Sequence, residues 1–202
     1  MFSSKRDSFL MGYSAKILVL VLAAAFVVRI FFFNTYSIQT SSMRPTLEPG
    51  DFILAARAFF LERGAVVTLP CPNSEGLNCI KRVVGLPGDR IEIAKQRLIV
   101  NDEHAVYAKA QDKNGQVDLI ESLGGKSWQI EVAMETPSSA PAIVVPPGQV
   151  FLLNDNRSDI SDSRQWGPIA ATQLEAKAWR IWMSIDWLEN RINWHRLLKP
   201  IH

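Results

Sequence analysis

A single apolar run, Ile17 to Phe33 (ILVLVLAAAFVVRIFFF), splits this 202-residue chain into a short basic head and a long remainder. A bare membrane-spanning helix needs about 20 residues, with a range near 17–25. The run is just long enough. A charge at the bilayer centre costs roughly 2.5–3.5 kcal/mol, but Arg29 lies toward the far end of the run and can snorkel to the headgroups. The expected elements are therefore a cytoplasmic segment 1–16, a single transmembrane anchor 17–33 and an extracytoplasmic domain 34–202. Lys5, Arg6 and Lys16 before the run set that orientation. A cleaved signal peptide is the competing reading. It fits less well because the run ends in Phe31-Phe32-Phe33, where a cleavage site wants small residues.

Beyond the run there is room for roughly one domain. Short apolar stretches recur between turn residues: Asp51–Leu54, Ala65–Leu69, Ile80–Val84, Arg90–Ile93, Arg97–Val100, Trp128–Val132, Ile143–Val145 and Val150–Leu153. Gly50, Gly64, Pro87-Gly88, Asn101-Asp102 and Pro146-Pro147-Gly148 separate them. The soluble part is thus expected to be mainly β, an antiparallel sheet domain. Residues 104–127, within a stretch of about 101–148, have the composition of a loop-rich insertion. A short helical turn is expected near Ala170 to Lys177 and a last strand up to Ile185. From Trp187 to Leu198, tryptophans beside arginines suggest an interfacial helix.

The formal net charge is only +2, which gives no reason to expect nucleic acid as a partner. Chemistry points instead to two blocks, Ser42-Met43-Arg44-Pro45-Thr46-Leu47 and Lys81-Arg82-Val83-Val84-Gly85. A free serine hydroxyl barely attacks an amide at neutral pH and needs a base. Histidine is a poor candidate: His195 and His202 sit in the last eight residues, and His104 follows the turn-like Asn101-Asp102-Glu103. Lys81, flanked by Ile80, Val83 and Val84, lies in an apolar strand where burial would favour the neutral amine. Exposed, it would titrate near 10.4, and only about one molecule in 2,500 would be neutral at pH 7. Ser41 is the fallback nucleophile. Arg82, on the opposite face of the strand, is expected to be exposed or ion-paired. Cys71 and Cys79 bracket Pro72-Asn73-Ser74-Glu75-Gly76, a loop that they can close in an oxidising compartment or leave open as free thiols.

Four features together resemble bacterial type I signal peptidase, the leader peptidase family. These are SMRPTLEPGD (42–51), KRVVGLPGD (81–89), NDNRSDISDSRQWG (154–167), and their order behind one apolar span. The resemblance implies a membrane-bound serine endopeptidase of the bacterial inner membrane, with Ser42 as nucleophile and Lys81 as general base. It also implies oxyanion donors from the Ser42 N–H and the Thr40 hydroxyl. Asp155, Asn156, Arg157, Ser161, Asp162, Ser163 and Arg164 fall in the block that supports the site, and Ile38, Met43 and Ile80 fall where substrate pockets are lined. The implied substrates are secretory preproteins cut after small-x-small, Ala-x-Ala-like sites. Neither a metal nor an organic cofactor is implied.

Two departures from the family pattern stand out. Asn154 replaces a usual glycine, and Ile160 stands where a serine normally bonds the lysine, which leaves Ser161 or Ser163 as substitutes. Gln39 also replaces a common proline. A specialised peptidase of a pilus or secretion system is a variant of this reading. A non-catalytic anchored β domain that binds exported chains is the alternative of another class. A self-cleaving Ser-Lys repressor is disfavoured, since the chain shows neither an N-terminal DNA-binding helix pair nor an Ala-Gly or Cys-Gly bond.

Overall fold

The computed structural model describes residues 16–23, 32–72, 74, 76–94, 97–113, 116–133 and 140–202. The chain divides into two compact units, 1–34 and 35–202. In the first, residues 16–23 are helical (α1). Residues 24–31, the middle of the predicted span, lie outside the described residues. Among the described residues no helix is long and apolar enough to cross a membrane.

Short strands make up most of the remaining chain. In order they are β1 (Phe33–Ser37), β2 (Asp51–Ala56), β3 (Val66–Pro70), β4 (Asn78–Gly85), β5 (Arg90–Ala94), β6 (Arg97–Val100), β7 (Glu103–His104) and β8 (Val106–Lys113). Then come β9 (Gln116–Leu123), β10 (Lys126–Ala133), β11 (Ala140–Val144), β12 (Gln149–Leu153), β13 (Ile169–Ala170), β14 (Ala176–Asp186) and β15 (Arg191–Ile192). The main sheet runs β1-β2-β14-β3-β4-β12-β13, with β15 paired to β14. Two smaller antiparallel sheets, β11-β5-β6-β7 and β10-β9-β8, complete the second unit. The mainly β, antiparallel expectation agrees with this architecture.

Strand β4 lies inside the main sheet, with β3 on one side and β12 on the other. Successive side chains on a strand point to opposite faces, so Lys81 and Arg82 leave the backbone in opposite directions. Both are buried, at 3% and 0% exposure. Gly85, at the end of the strand, permits close packing: a Cβ there would come within 2.8 Å of the Phe151 Cβ and 2.9 Å of the Ile91 Cδ1.

Two regions differ from expectation. The segment expected to be loop-rich is a three-stranded sheet. Its Leu-Gly-Gly-Lys is a two-residue hairpin turn, with Lys126 opposite Leu123 and positive φ at Gly124 and Gly125. The sheet buries Leu123, Trp128 and Ile130, with Tyr107 and Leu119 packed against them. The tail is not an interfacial helix either. After β14 it turns back as β15, then forms a 3-10 turn at Trp194–Arg196. Its backbone docks along β14 through Ile181 N–H to Lys199 O and Ile201 N–H to Trp179 O. Near Ala170 to Lys177 there is only a 3-10 turn, Ala171–Gln173, before β14 begins.

Candidate active site

The serine block is a compact turn between β1 and β2. Arg44 N–H donates to Ser41 O and Leu47 N–H to Met43 O, while Met43 and Leu47 anchor the turn in an apolar cluster with Ile38 and Ile53. Asn156 fastens the turn from the opposite side: its N–H donates to Ser42 O at 3.0 Å and its side-chain amide to Ser41 O at 3.4 Å. Gly50 closes the turn at φ 96°, where a Cβ would sit 2.0 Å from Ile185 O. The Ser42 hydroxyl lies 3.1 Å from that of Thr40.

Ser42 and Lys81 line one cleft of about 680 Å³. Thr40, Ser161 and Trp166 also line it, as do Ile38, Met43 and Ile80. Ser41 does not. Lys81 Nζ sits 5.4 Å from the centre of the Trp166 ring, and among the described residues Lys81 forms no ion pair. Burial holds its pKa below the usual lysine value, with Asp159 and Asp162 pulling the other way.

The polar block after β12 supports both catalytic candidates. Asp155 takes two hydrogen bonds from the Arg82 guanidinium, at 2.7 and 2.6 Å, and a third from the Thr46 hydroxyl at 2.5 Å. Asp162 caps helix α2 (Ser163–Trp166), accepts from Asn154 N–H and pairs with Arg164 at 2.7 Å. Arg164 also donates to Arg157 O. Ser163 is not at the cleft: it accepts from Leu152 N–H at 2.9 Å. Ile160 is 54% exposed. Of the two substitutes for the missing serine, then, Ser161 is the one that reaches the cleft.

The match to known proteins fits this geometry. Residues 11–183 match the family described as signal peptidase, peptidase S26. The chain belongs to that family. A signal peptidase I of Pseudomonas aeruginosa is 30% identical over 197 residues, covering 81% of this chain and 69% of the relative. A signal peptidase IB of Staphylococcus aureus is 30% identical over 184 residues, covering 85% and 92%. A solved signal peptidase I from Enterococcus faecalis is 22% identical, covers 59% of this chain and 97% of its own, and has a TM-score of 0.39, too remote a likeness to bear on the site. Family membership makes the chain a serine peptidase of the signal peptidase I type, acting on secretory preproteins.

Several supporting groups have no counterpart among the candidates named from the sequence. Arg157 pairs with Glu121, a fully buried carboxylate on β9 that also accepts from Tyr107 Oη and Trp128 Nε1. Burial pushes the Glu121 pKa up, but Arg157 and these donors more than offset it and hold it below the usual range. Arg196, in the tail, donates to both Asp51 oxygens and to Thr46 O, which ties the end of the chain to the serine turn. In the sequence each of these is one charge among many in a polar stretch. Cys71 and Cys79 are bonded, closing a loop that contributes to the lining of the cleft.

Proposed function

We propose that Ser42 is the nucleophile and Lys81 its general base in the cleavage of signal peptides. The observation that carries this is a buried lysine, its ammonium form disfavoured by desolvation, in the same cleft as a serine held in a rigid turn. The neutral Nζ takes the Oγ proton as Oγ bonds the scissile carbonyl carbon and the carbonyl π pair moves onto oxygen. The ammonium returns that proton to the departing amine nitrogen as the C–N bond breaks. Water, activated by the same lysine, then releases the acyl group.

The oxyanion is stabilised by the Ser42 N–H and the Thr40 hydroxyl, a role consistent with Thr40 lying next to Ser42 Oγ. Ile38, Met43 and Ile80 form the apolar walls that admit small side chains on either side of one unrestricted position. An extended substrate adds along the cleft as a strand. Residues 17–33 anchor the enzyme in the bacterial inner membrane, with 1–16 in the cytoplasm and the β domain outside, as the apolar run and its basic flank indicate.

The test is digestion of a precursor with an Ala-x-Ala site by the detergent-solubilised protein, with product masses fixing the cut. Cutting after the second alanine, lost in folded Ser42→Ala and Lys81→Ala, is the expected result. Retained activity in either variant would sink the dyad.

A further inference from the structure

We propose that Asp159 and Ser161 form a positioning pair for the Lys81 amine, supplying the counter-charge and the acceptor that stabilise its protonated form during turnover. This deepens the Ser42–Lys81 reading and rests on it.

The geometry of the pair is specific. Ser161 Oγ donates to Asp159 Oδ1 at 2.5 Å, and Ser161 N–H donates to the same oxygen at 2.9 Å. With its one proton committed to Asp159, the Ser161 hydroxyl can only accept from a further partner. Asp159 Oδ2 has no partner among the described residues. The main chain at Asp159 is pinned, since its carbonyl accepts from Asn154 Nδ2 at 3.0 Å and from Arg164, and its N–H donates to Asn156 O at 3.1 Å. The pair therefore sits on a fixed turn, and both of its residues line the cleft beside Lys81 and Trp166.

The other charges around Lys81 are already engaged. Asp162 and Arg164 are paired to each other, Arg82 points to the opposite face, and Val67 stands opposite Lys81 on β3. Arg44 of the serine turn lies 3.9 Å from Glu131. Besides Lys81, the titratable groups among the described cleft residues are Asp159 and Tyr36, and the Tyr36 hydroxyl donates to Glu175. Asp159 is thus the carboxylate left to meet an ammonium formed in the cleft, and its charge raises the affinity of Lys81 for a proton.

The charge sets the direction of the effect. Removing it from Asp159 makes Lys81 a weaker base that deprotonates at lower pH, so the acid limb of the rate profile shifts down while the plateau kcat falls. A merely structural role for Asp159 would leave the limb in place.

The experiment compares kcat and kcat/KM against pH for wild type, Asp159→Asn, Ser161→Ala, Ser161→Thr and Lys81→Ala on one precursor, with folding checked by circular dichroism. In Asp159→Asn we expect an acid limb lower by about half a pH unit or more and a reduced plateau. In Ser161→Ala we expect kcat down by about tenfold with KM nearly unchanged, and Ser161→Thr should restore most of it. An Asp159→Asn limb that stays put or moves up, or a Ser161→Ala enzyme with full kcat, overturns the pair. Those outcomes with an inactive Lys81→Ala leave the dyad standing, whereas an active Lys81→Ala removes the reading beneath both.

Discussion

Lys81 and Arg82 are neighbours on one strand, and both are buried basic side chains, yet the two faces of β4 treat them in opposite ways. Arg82 is given everything a guanidinium can use: two bonds to Asp155, the carbonyls of Gly64 and His202, the Thr46 hydroxyl, and the face of Trp128 at 5.4 Å. Lys81 is given a ring face and a cleft that Asp159 and Ser161 also line, and among the described residues it forms no direct ion pair. A buried amine without a direct ion pair is pushed toward its neutral form by desolvation, while a buried guanidinium bonded on every side fixes its surroundings. On the proposed reading one face makes a base, and the other makes a joint. The joint ties the strand that carries Lys81 to the serine turn through Thr46 and to the block after β12 through Asp155.

The largest expected effect falls on the first face. Lys81→Ala and Ser42→Ala each lower precursor cleavage by about 10³-fold or more, measured as product per unit time at matched concentrations of folded protein. On the second face, Asp155→Ala strands a buried guanidinium and should cost about 3–5 kcal/mol of stability, read from the denaturant midpoint. Similar behaviour in Lys81→Ala and Asp155→Ala, both merely unstable or both merely inactive, would break the contrast between the faces.

A smaller loss sharpens the comparison at the oxyanion. Thr40→Val should reduce kcat on the order of 10²-fold with little change in KM, the split expected of the proposed oxyanion donor. An unchanged kcat would remove Thr40 from the chemistry.

The smallest effect carries an informative sign. The folded-state pKa of Lys81 is lowered, so between that value and 10.5 the unfolded chain holds more protons than the folded one, and stability rises with pH across this window. Lys81→Met removes the cost and should melt a few degrees higher at pH 7, with the gain shrinking as pH approaches 10.5. Glu121 has the opposite dependence. Its lowered pKa contributes stability that is complete above 4.5 and lost as pH falls through the folded value. Glu121→Gln should therefore flatten the acid limb of a stability curve and leave the alkaline limb alone.

The two faces also differ in how legible they are in the sequence. The strands around Lys81 and the Ser42 turn are readable because apolar alternation, glycine breaks and the serine block all bear on the same few residues. The partners of the second face are not readable. Glu121 and Arg196 lie 36 residues and 145 residues in sequence from the groups they bind, and no local pattern encodes such a pairing. The β8–β10 sheet is hidden for another reason. One of its faces is solvated, so apolar positions such as Tyr107, Leu119 and Ile130 are diluted by polar ones, and its Gly124-Gly125 hairpin resembles a loop in composition. The tail's tryptophans suggest an amphipathic helix, yet backbone bonds to β14 and the burial of Arg196 against Asp51 decide its path. Ile160 reads as a missing partner for the lysine, and the structure turns that residue outward and brings Ser161 to the cleft instead.

The most direct measurement is an NMR titration of the Lys81 side chain in the detergent-solubilised enzyme, assigned by its loss in Lys81→Met, with exposed lysines as internal reference. A midpoint well below that of the exposed lysines is the predicted result and would establish a neutral amine available as a base. A midpoint at or above 10.5 would mean that Lys81 is held as an ammonium across the working pH range, and the assignment of general base would fail.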